Sequence, residues 1–227
     1  MKITIIGAGA MGSTVGGYFS MGGADVRLVA PSSGHVDRVN ESGLRMNING
    51  AETVVHMRGY HSAGEIGEKM DLVVIVTKGH QIDGAIRGAL CLFDEDTVCI
   101  AIQNGIGNVD ILSKYLPQRQ ICTAIAQLGA SRPEPGLVSV LKRDGAVLSF
   151  GPVAQEEPTG KLIEAAEILT RGGLNAFALT RSEINRKIWY KMTSNCTGNA
   201  GCAVTRLPLG RFTNCPEGTE IKTGLLE

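Results

Sequence analysis

The sequence predicts an α/β fold, in which an N-terminal, doubly wound parallel sheet is followed by the start of a helical second domain. Residues 2–6 form a short apolar strand pattern, which leads directly into a glycine-rich stretch and then into a helical pattern. Asp71 is followed by the continuous apolar run Leu-Val-Val-Ile-Val, which is typical of a buried parallel strand. From Ser182 onward the pattern is helical again.

The glycine-rich stretch matches G-x-G-x-x-G between a strand and a helix, which indicates a Rossmann-type dinucleotide site. Gly7 permits a tight turn, Gly9 lets a pyrophosphate approach the backbone, and Gly12 lets the helix pack closely on the sheet. The free N–H groups of the first helical turn would face the phosphates. The alternative is a glycine-rich turn without a ligand. The predicted cofactor-binding residues of this stretch are Gly7, Ala8, Gly9, Ala10, Met11 and Gly12.

The segment after the second strand, residues 25–30, bears on the choice of cofactor. An NAD enzyme usually has a carboxylate at this point to bind the ribose 2′-hydroxyl. This chain has Ala30-Pro31-Ser32-Ser33 there, which would not repel a 2′-phosphate. Ser32, Ser33 and Arg38 are candidates to hold that phosphate, so the sequence favours NADP(H) over NAD(H).

The remaining elements follow from hydrophobic periodicity and turn signals. We expect helices over residues 13–21, 34–42, 82–92 and 158–171. Further strands are expected over residues 44–48, 52–57, 71–77, 97–102, 121–126, 137–141, 146–150 and 175–179. Asn49-Gly50 is a strong hairpin signal, and Asp144-Gly145 predicts that the strands around it are paired.

Polar residues follow two of the predicted parallel strands. Lys78 and Gln81 come after residues 71–77, and Asn104 comes after residues 97–102. In open α/β sheets, ligands bind beyond the carboxyl ends of the strands, so these side chains are candidates for a ligand site. The alternative is that Lys78 is a solvated loop charge and Asn104 a turn residue.

A polar stripe runs along the helix predicted from Ser182. Lys191, Asn195 and Asn199 are spaced i, i+4, i+8 and therefore share one helical face. Asparagine is a poor helix former, so the stripe either faces a substrate or is a solvated surface. An ammonium near a ketone that accepts a hydride would stabilise the alkoxide and supply its proton, which makes Lys191 a candidate proton donor.

Composition limits the partners and the compartment. The 22 basic and 22 acidic side chains cancel, which argues against nucleic acid or an anionic membrane as the main partner. No apolar run is long enough to cross a bilayer, and the sequence begins with a strand rather than a signal peptide, so we expect a cytoplasmic protein. The six cysteines lack metal-ligand spacing; we expect no metal site and reduced, mostly buried thiols.

Five motifs in order resemble the ketopantoate reductase family, also called 2-dehydropantoate 2-reductase. They are Gly7-x-Gly9-x-x-Gly12, Thr77-Lys78-x-x-Gln81, Gln103-Asn104-Gly105-x-Gly107, Pro135-Gly136 and Trp189-x-Lys191-x-x-x-Asn195-x-x-x-Asn199. The resemblance extends from Met1 to about Gly210. It implies reduction of the ketone of 2-dehydropantoate to (R)-pantoate with NADPH, in pantothenate synthesis, with NADH the less favoured cofactor.

The resemblance also implies residue roles. Lys191 matches the family's catalytic lysine, and Asn195 and Asn199 match substrate-binding residues. Lys78 and Asn104 match contacts near the nicotinamide and the substrate, and Ala130 matches a backbone contact to the cofactor. Gln81 belongs to the same cofactor-binding motif as Lys78.

The chain departs from the family at two places. The basic residue that the family often has after the second strand is missing, and family members continue into a helical domain well beyond residue 227. We therefore expect a dinucleotide-binding domain over residues 1–180 and an incomplete helical substrate or dimerisation domain over residues 181–227. The end of the chain, residues 215–227, is expected to be turn-rich. Exposed apolar residues at Leu207, Leu209 and Phe212 would favour a homodimer.

Three functions remain open from the sequence. The first is an NADPH-dependent reductase of 2-dehydropantoate. The second is a dinucleotide-binding protein with little or no turnover, because the family's C-terminal residues are missing. The third is a reductase of a different 2-oxoacid.

Overall fold

The computed structural model describes residues 1–31, 34–141, 145 and 147–225, and these residues fall into two compact units. The first unit is Met1–Ile184 and the second is Asn185–Glu227. The predicted α/β class is confirmed, with a doubly wound sheet in the first unit and helices in the second. The assignment of residues 1–180 to dinucleotide binding and of residues 181–227 to an incomplete helical domain stays a prediction.

The described residues form twelve strands and eight α-helices. The strands are β1 (Lys2–Ile6), β2 (Asp25–Val29), β3 (Leu44–Ile48), β4 (Ala51–Val55), β5 (Arg58–Tyr60), β6 (Leu72–Ile75), β7 (Val98–Ala101), β8 (Ile121–Gln127), β9 (Gly129–Glu134), β10 (Leu137–Leu141), β11 (Val147–Pro152) and β12 (Asn175–Ala178). The helices are α1 (Ala10–Met21), α2 (Gly34–Ser42), α3 (Ile82–Ala89), α4 (Asn108–Leu112), α5 (Gly160–Arg171), α6 (Arg181–Thr205), α7 (Leu209–Asn214) and α8 (Pro216–Gly224).

Eight strands form the main sheet of the first unit, in the order β12-β11-β8-β7-β6-β1-β2-β5. The run from β8 to β5 is parallel throughout, while β11 is antiparallel to β8. Because β2 follows on one side of β1 and β6 on the other, the direction of winding reverses at β1. A reversal of this kind opens a crevice at the carboxyl ends of the strands, where ligands bind in such folds.

The centre of the main sheet is apolar on both faces. Every residue of β6 and of β7 is buried, as expected for parallel strands covered on both sides. One core cluster includes Ile5 and Phe150, and a second includes Ile75 and Ile86. The sheet is therefore packed against apolar side chains on both faces.

A second, four-stranded sheet has the order β4-β3-β10-β9. Helix α1 lies between the two sheets. A Cβ atom on Gly16 would lie 2.8 Å from the side chain of Leu28 in β2, and one on Gly17 would lie 2.2 Å from the Sδ of Met46 in β3. The small residues of α1 therefore let both sheets approach it closely, which explains why this helix is buried nearly all round.

The predicted pairing of residues 137–141 with residues 146–150 is wrong. Strand β10 pairs with β3 and β9 in the small sheet, whereas β11 pairs with β8 and β12 in the main sheet. Burial gives the physical reason, because β10 alternates between buried and partly exposed residues while β11 is buried throughout. Asp144 and Ala146, on which part of that prediction rested, lie outside the described residues.

The hairpin at Asn49-Gly50 is confirmed. Both residues have positive φ, 51° and 93°, and the N–H of Gly50 donates to the Oδ1 of Asn47 at 2.8 Å. Strands β5 and β9 were not predicted. The sequence of β9, Gly-Ala-Ser-Arg-Pro-Glu, is largely exposed and lacks apolar alternation, so its pairing with β10 rather than its composition makes it a strand.

The second unit consists of most of α6 together with α7 and α8. The expectation of a turn-rich end is wrong, because residues 216–224 form α8, with Cys215 as its N-cap residue and a proline at the first helical position. Phe212 is buried rather than exposed, since it packs where a side chain on Gly201 of α6 would lie. Leu207 and Leu209 are exposed, and the homodimer stays a prediction.

Candidate functional site

A cleft of about 730 Å³ lies in the first unit at the carboxyl ends of β1, β2 and β6. It is therefore placed where the sheet reverses its winding. Its wall is formed by residues 6–9, 29–31, 61–63 and 76–78, by His80 and Gln81, by one face of α3, and by Arg132. Of the glycine-rich stretch, Gly7, Ala8 and Gly9 line the cleft, and the other three residues form the first turn of α1.

The three glycines differ in what they allow. Gly7 has φ of 104°, a conformation that favours glycine. A Cβ atom on Gly12 would lie 2.1 Å from the carbonyl oxygen of Gly7, so only glycine lets α1 start this close to the turn. A Cβ atom on Gly9 would meet no atom within 4 Å, and the cleft is open beside this residue. A side chain therefore has no room at Gly7 or Gly12, whereas there is open space beside Gly9.

Some N–H groups near this turn form hydrogen bonds within the protein, and others are available to a ligand. Those of Gly7 and Ala8 donate to the carbonyl of Val29 at 2.9 and 3.2 Å, which fixes the turn to the end of β2. The first bond within α1 runs from the N–H of Ser13 to the carbonyl of Gly9 at 2.9 Å. The N–H groups of residues 10–12 precede that bond, and the first turn of α1 contains no acidic residue. This arrangement suits an anion such as a phosphate.

The loop after β6 forms the opposite wall. Thr77 lines the cleft, and its Oγ1 is buried without a hydrogen-bond partner among the described residues. Lys78 is exposed, and its N–H donates to the Oε1 of Gln81 at 3.3 Å. Lys78 and Gln81, predicted from the sequence, both line the cleft.

The end of β2 offers no carboxylate to the cleft. Ala30 and Pro31 form this part of the wall. Ser32 and Ser33, two of the predicted phosphate ligands, lie outside the described residues. The third, Arg38, is not part of the cleft wall; its Nη1 donates to Glu41 at 3.0 Å, and its side chain packs against Gly136.

Arg132 was not predicted and reaches the cleft from β9. Its Nη1 donates to the carbonyl of Ala8 at 3.3 Å, across 124 positions of sequence. Among the described residues, no carboxylate forms an ion pair with this guanidinium. No local sequence signal indicated this residue, because the pairing of the small sheet brings β9 beside the glycine-rich turn.

His35, also not predicted, is 1% exposed. Its Nδ1 accepts a hydrogen bond from the N–H of Gly136 at 2.9 Å, so Nε2 carries the proton and donates to the Oγ of Ser13 at 2.8 Å. Burial, aided by the positive charge of Arg132, lowers the pKa of His35 to about 4. This neutral imidazole joins α1 to the turn between β9 and β10.

Outside the glycine-rich stretch, two predicted cofactor residues do not line the cleft. Asn104 is exposed in the turn after β7. Ala130 lies in β9 opposite Val140 and faces a separate cavity of about 670 Å³, beside Asn47. The residue two positions further along the same strand, Arg132, is the one that reaches the cleft.

The predicted polar stripe lies on α6 in the second unit. The Nδ2 of Asn199 donates to the Oδ1 of Asn195 at 3.2 Å, so the two amides share one face of the helix as their spacing predicts. Lys191 is half-buried, and burial lowers its pKa from the ordinary lysine value. An ammonium with a lowered pKa releases its proton more readily than an exposed lysine does.

The described residues contain no cluster of His, Cys, Asp or Glu that could hold a metal ion. Within the same ranges, no helix combines the length and the apolar character that crossing a membrane requires. All six cysteines are free, but the expectation of mostly buried thiols is wrong. Only Cys99 and Cys122, on the central strands β7 and β8, are buried. Cys91 is exposed in a short 3-10 helix after α3, and the other three lie in the second unit.

Comparison with known proteins gives a consistent result. The family model described as Ketopantoate reductase PanE/ApbA matches residues 3–155. The 2-dehydropantoate 2-reductase of Lactococcus lactis is 36% identical over 206 residues, which cover 90% of this chain and 64% of that protein. The chain therefore spans less than two thirds of the length of this relative.

Solved structures show the same likeness. The 2-dehydropantoate 2-reductase of Geobacter metallireducens superposes with a TM-score of 0.87 at 26% identity, covering all of this chain and 73% of that one. D-mandelate dehydrogenase, solved as a ternary structure with NADH and anilino(oxo)acetate, also gives a TM-score of 0.87, at 27% identity over 98% of this chain and 70% of that one.

Proposed function

We propose that this chain, which belongs to the ketopantoate reductase family, reduces the ketone of a 2-oxoacid with NADPH, and that 2-dehydropantoate is its substrate. The observation that carries the proposal is the cleft at the glycine-rich turn. It combines an open Gly9 with available N–H groups at the start of α1. Both features suit the pyrophosphate of a bound dinucleotide.

The residues of the cleft suggest how the cofactor is held. The first turn of α1 would bind the pyrophosphate, because its N–H groups and its dipole both favour negative charge. Ala30 and Pro31 would lie beside the adenosine ribose, and the loop of Thr77, Lys78 and Gln81 would form the other wall. Asn104 and Ala130 are retained in the proposal by resemblance to the family alone.

NADPH is proposed over NADH because no carboxylate stands at the end of β2. The solved D-mandelate dehydrogenase holds NADH, so its similarity to this chain favours a second candidate, an NADH-dependent reductase of a different 2-oxoacid. The two candidates differ in two measurable properties, the preference between the cofactors and the preference between 2-oxoacids.

Lys191 is proposed as the proton donor. The bound reduced nicotinamide supplies a hydride to the ketone carbon. The ammonium of Lys191 would stabilise the negative charge that develops on the ketone oxygen, and it would then transfer a proton to that oxygen. The lowered pKa of Lys191 favours this transfer. Asn195 and Asn199 would hold the hydroxyl and carboxylate oxygens of the substrate in position.

The proposal is tested by steady-state kinetics on the purified chain with NADPH or NADH and a panel of 2-oxoacids that includes 2-dehydropantoate and phenylglyoxylate. We expect the highest kcat/KM for NADPH with 2-dehydropantoate. A preference for NADH together with phenylglyoxylate would support the second candidate instead. Binding of both cofactors without turnover of any 2-oxoacid would contradict both reductase assignments.

A further inference from the structure

We propose that Arg132 selects NADPH over NADH by binding the 2′-phosphate of the cofactor. This inference rests on the proposed function, since it requires that a dinucleotide binds in the cleft. The sequence offers no basic residue at the end of β2, where NADP-dependent enzymes commonly place one. The fold supplies an arginine to the same region from a different strand.

Three observations place the guanidinium near the end of β2, beside the glycine-rich turn. Arg132 contacts the carbonyl of Ala8, the residue whose own N–H is bonded to Val29 at the end of β2. Its positive charge contributes to the lowered pKa of His35, the second residue of the helix that follows β2. It shares the cleft wall with Ala30 and Pro31, which occupy the position of the ribose-binding carboxylate in NAD enzymes.

The charge of Arg132 is available to a ligand. Among the described residues it has no carboxylate partner, whereas the arginines of β2 and β3, Arg27 and Arg45, are both paired with acidic side chains. Within the described ranges, its guanidinium donates one hydrogen bond to the protein, to the neutral carbonyl of Ala8 at 3.3 Å. A guanidinium held in this way can still offer several N–H groups to a phosphate.

Asp37, in the first turn of α2, is an acidic residue that could compete for the ribose hydroxyl. Its Oδ1 lies 2.8 Å from the Nε2 of His61, and Asp37 is not part of the cleft wall. The acidic group that could favour NADH is thus turned to a histidine, while the basic group that could favour NADPH faces the cleft. Both features favour NADPH over NADH.

His35 is the positioning residue for this arginine. The short bond from the N–H of Gly136 to the imidazole fixes the turn that connects β9 to β10, and Arg132 lies three residues before that turn's Pro135. The other ring nitrogen is bonded to Ser13 in α1. The imidazole therefore ties the strand that carries Arg132 to the helix that would bind the pyrophosphate.

The test compares two small ligands that differ only in the 2′-phosphate, adenosine 2′,5′-bisphosphate and 5′-AMP. Binding to the wild-type chain, Arg132→Gln and Arg132→Lys is measured by calorimetry at low salt. Arg119→Gln is the matched control, because Arg119 is an exposed arginine outside the cleft. Thermal unfolding checks that each variant is folded.

We expect Arg132→Gln to weaken binding of the bisphosphate by about tenfold to a hundredfold, which is the usual effect of losing a hydrogen bond to a charged group. The affinity for 5′-AMP should change by less than about twofold. Arg132→Lys should retain part of the difference in affinity between the two ligands, and Arg119→Gln should change the affinity for neither of them. NADPH and NADH titrated on the same variants should follow the same pattern.

An equal loss for both ligands would overturn the inference, because it would place Arg132 at the phosphate that they share. An unchanged affinity for the bisphosphate would overturn it as well. If the wild-type chain binds neither the two nucleotides nor the two dinucleotides, the proposed function itself fails and the inference fails with it.

Discussion

Acidification should weaken the first unit through His35, well before its carboxylates are protonated. The imidazole accepts a hydrogen bond from the N–H of Gly136 through Nδ1. Protonation turns this acceptor into a donor, so two N–H groups would then face each other. It would also place a second positive charge near Arg132. Folding therefore favours the neutral form of His35.

The sign and the size of this effect follow from the pKa values. The folded-state pKa is about 4, against 6.5 for an unperturbed histidine, so the unfolded chain binds more protons between these values. The contribution of His35 to stability is complete above pH 6.5 and is lost as the pH falls towards 4. The full loss is about 3 kcal/mol, at roughly 1.4 kcal/mol per pKa unit, and about 2 kcal/mol of it is lost by about pH 5.

The assay is urea unfolding of the wild-type chain and of His35→Gln at several values between about pH 7.5 and 5. Glutamine keeps a polar group at the site but does not titrate. The variant should be less stable at neutral pH, and its free energy of unfolding should fall less steeply with acidification than that of the wild type. The difference between the two slopes isolates His35 from the other histidines. Parallel slopes across this range would refute the assignment of a neutral, buried His35.

Three further predictions concern the glycine turn and the helical stripe. Gly12→Ala should lower the free energy of unfolding by about 3 kcal/mol, because its Cβ atom would lie 2.1 Å from the carbonyl oxygen of Gly7. Gly9→Ala should leave the free energy of unfolding nearly unchanged in the same urea assay, because its Cβ atom would meet no atom within 4 Å. Gly9→Val should abolish NADPH binding with little change in Tm, because its side chain would fill the open part of the cleft; unchanged affinity in a fluorescence titration would show that no phosphate approaches this residue. Lys191→Ala should lower kcat by about a hundredfold or more and leave the Kd for NADPH within about twofold, and an equal loss in both would exclude the role of proton donor.

The parts of the molecule that the sequence predicted are those with local signals. The strand, glycine turn and helix at residues 2–21 depend on neighbouring residues, and the structure has them in that order, with α1 beginning at Ala10 rather than Ser13. The positive φ values of Asn49 and Gly50 are likewise a property of two adjacent residues. The apolar runs of β6 and β7 identified buried parallel strands because burial on both faces leaves a continuous pattern.

The parts that the sequence did not predict depend on distant pairing. Arg132 meets Ala8 across 124 positions, and His35 meets Gly136 across 101 positions. Neither contact affects the local pattern of polar and apolar residues in the sequence. The error at Asp144-Gly145 has the same origin, since a local turn signal cannot tell that the strands on its two sides belong to different sheets.

The most direct test of the proposed function is the oxidation of NADPH by the purified chain, followed through the absorbance of the reduced nicotinamide, with and without 2-dehydropantoate. We expect saturable oxidation that depends on the 2-oxoacid and that Lys191→Ala reduces. Absence of oxidation with 2-dehydropantoate, in a sample that binds NADPH, would contradict the proposal that this chain is a reductase of that substrate.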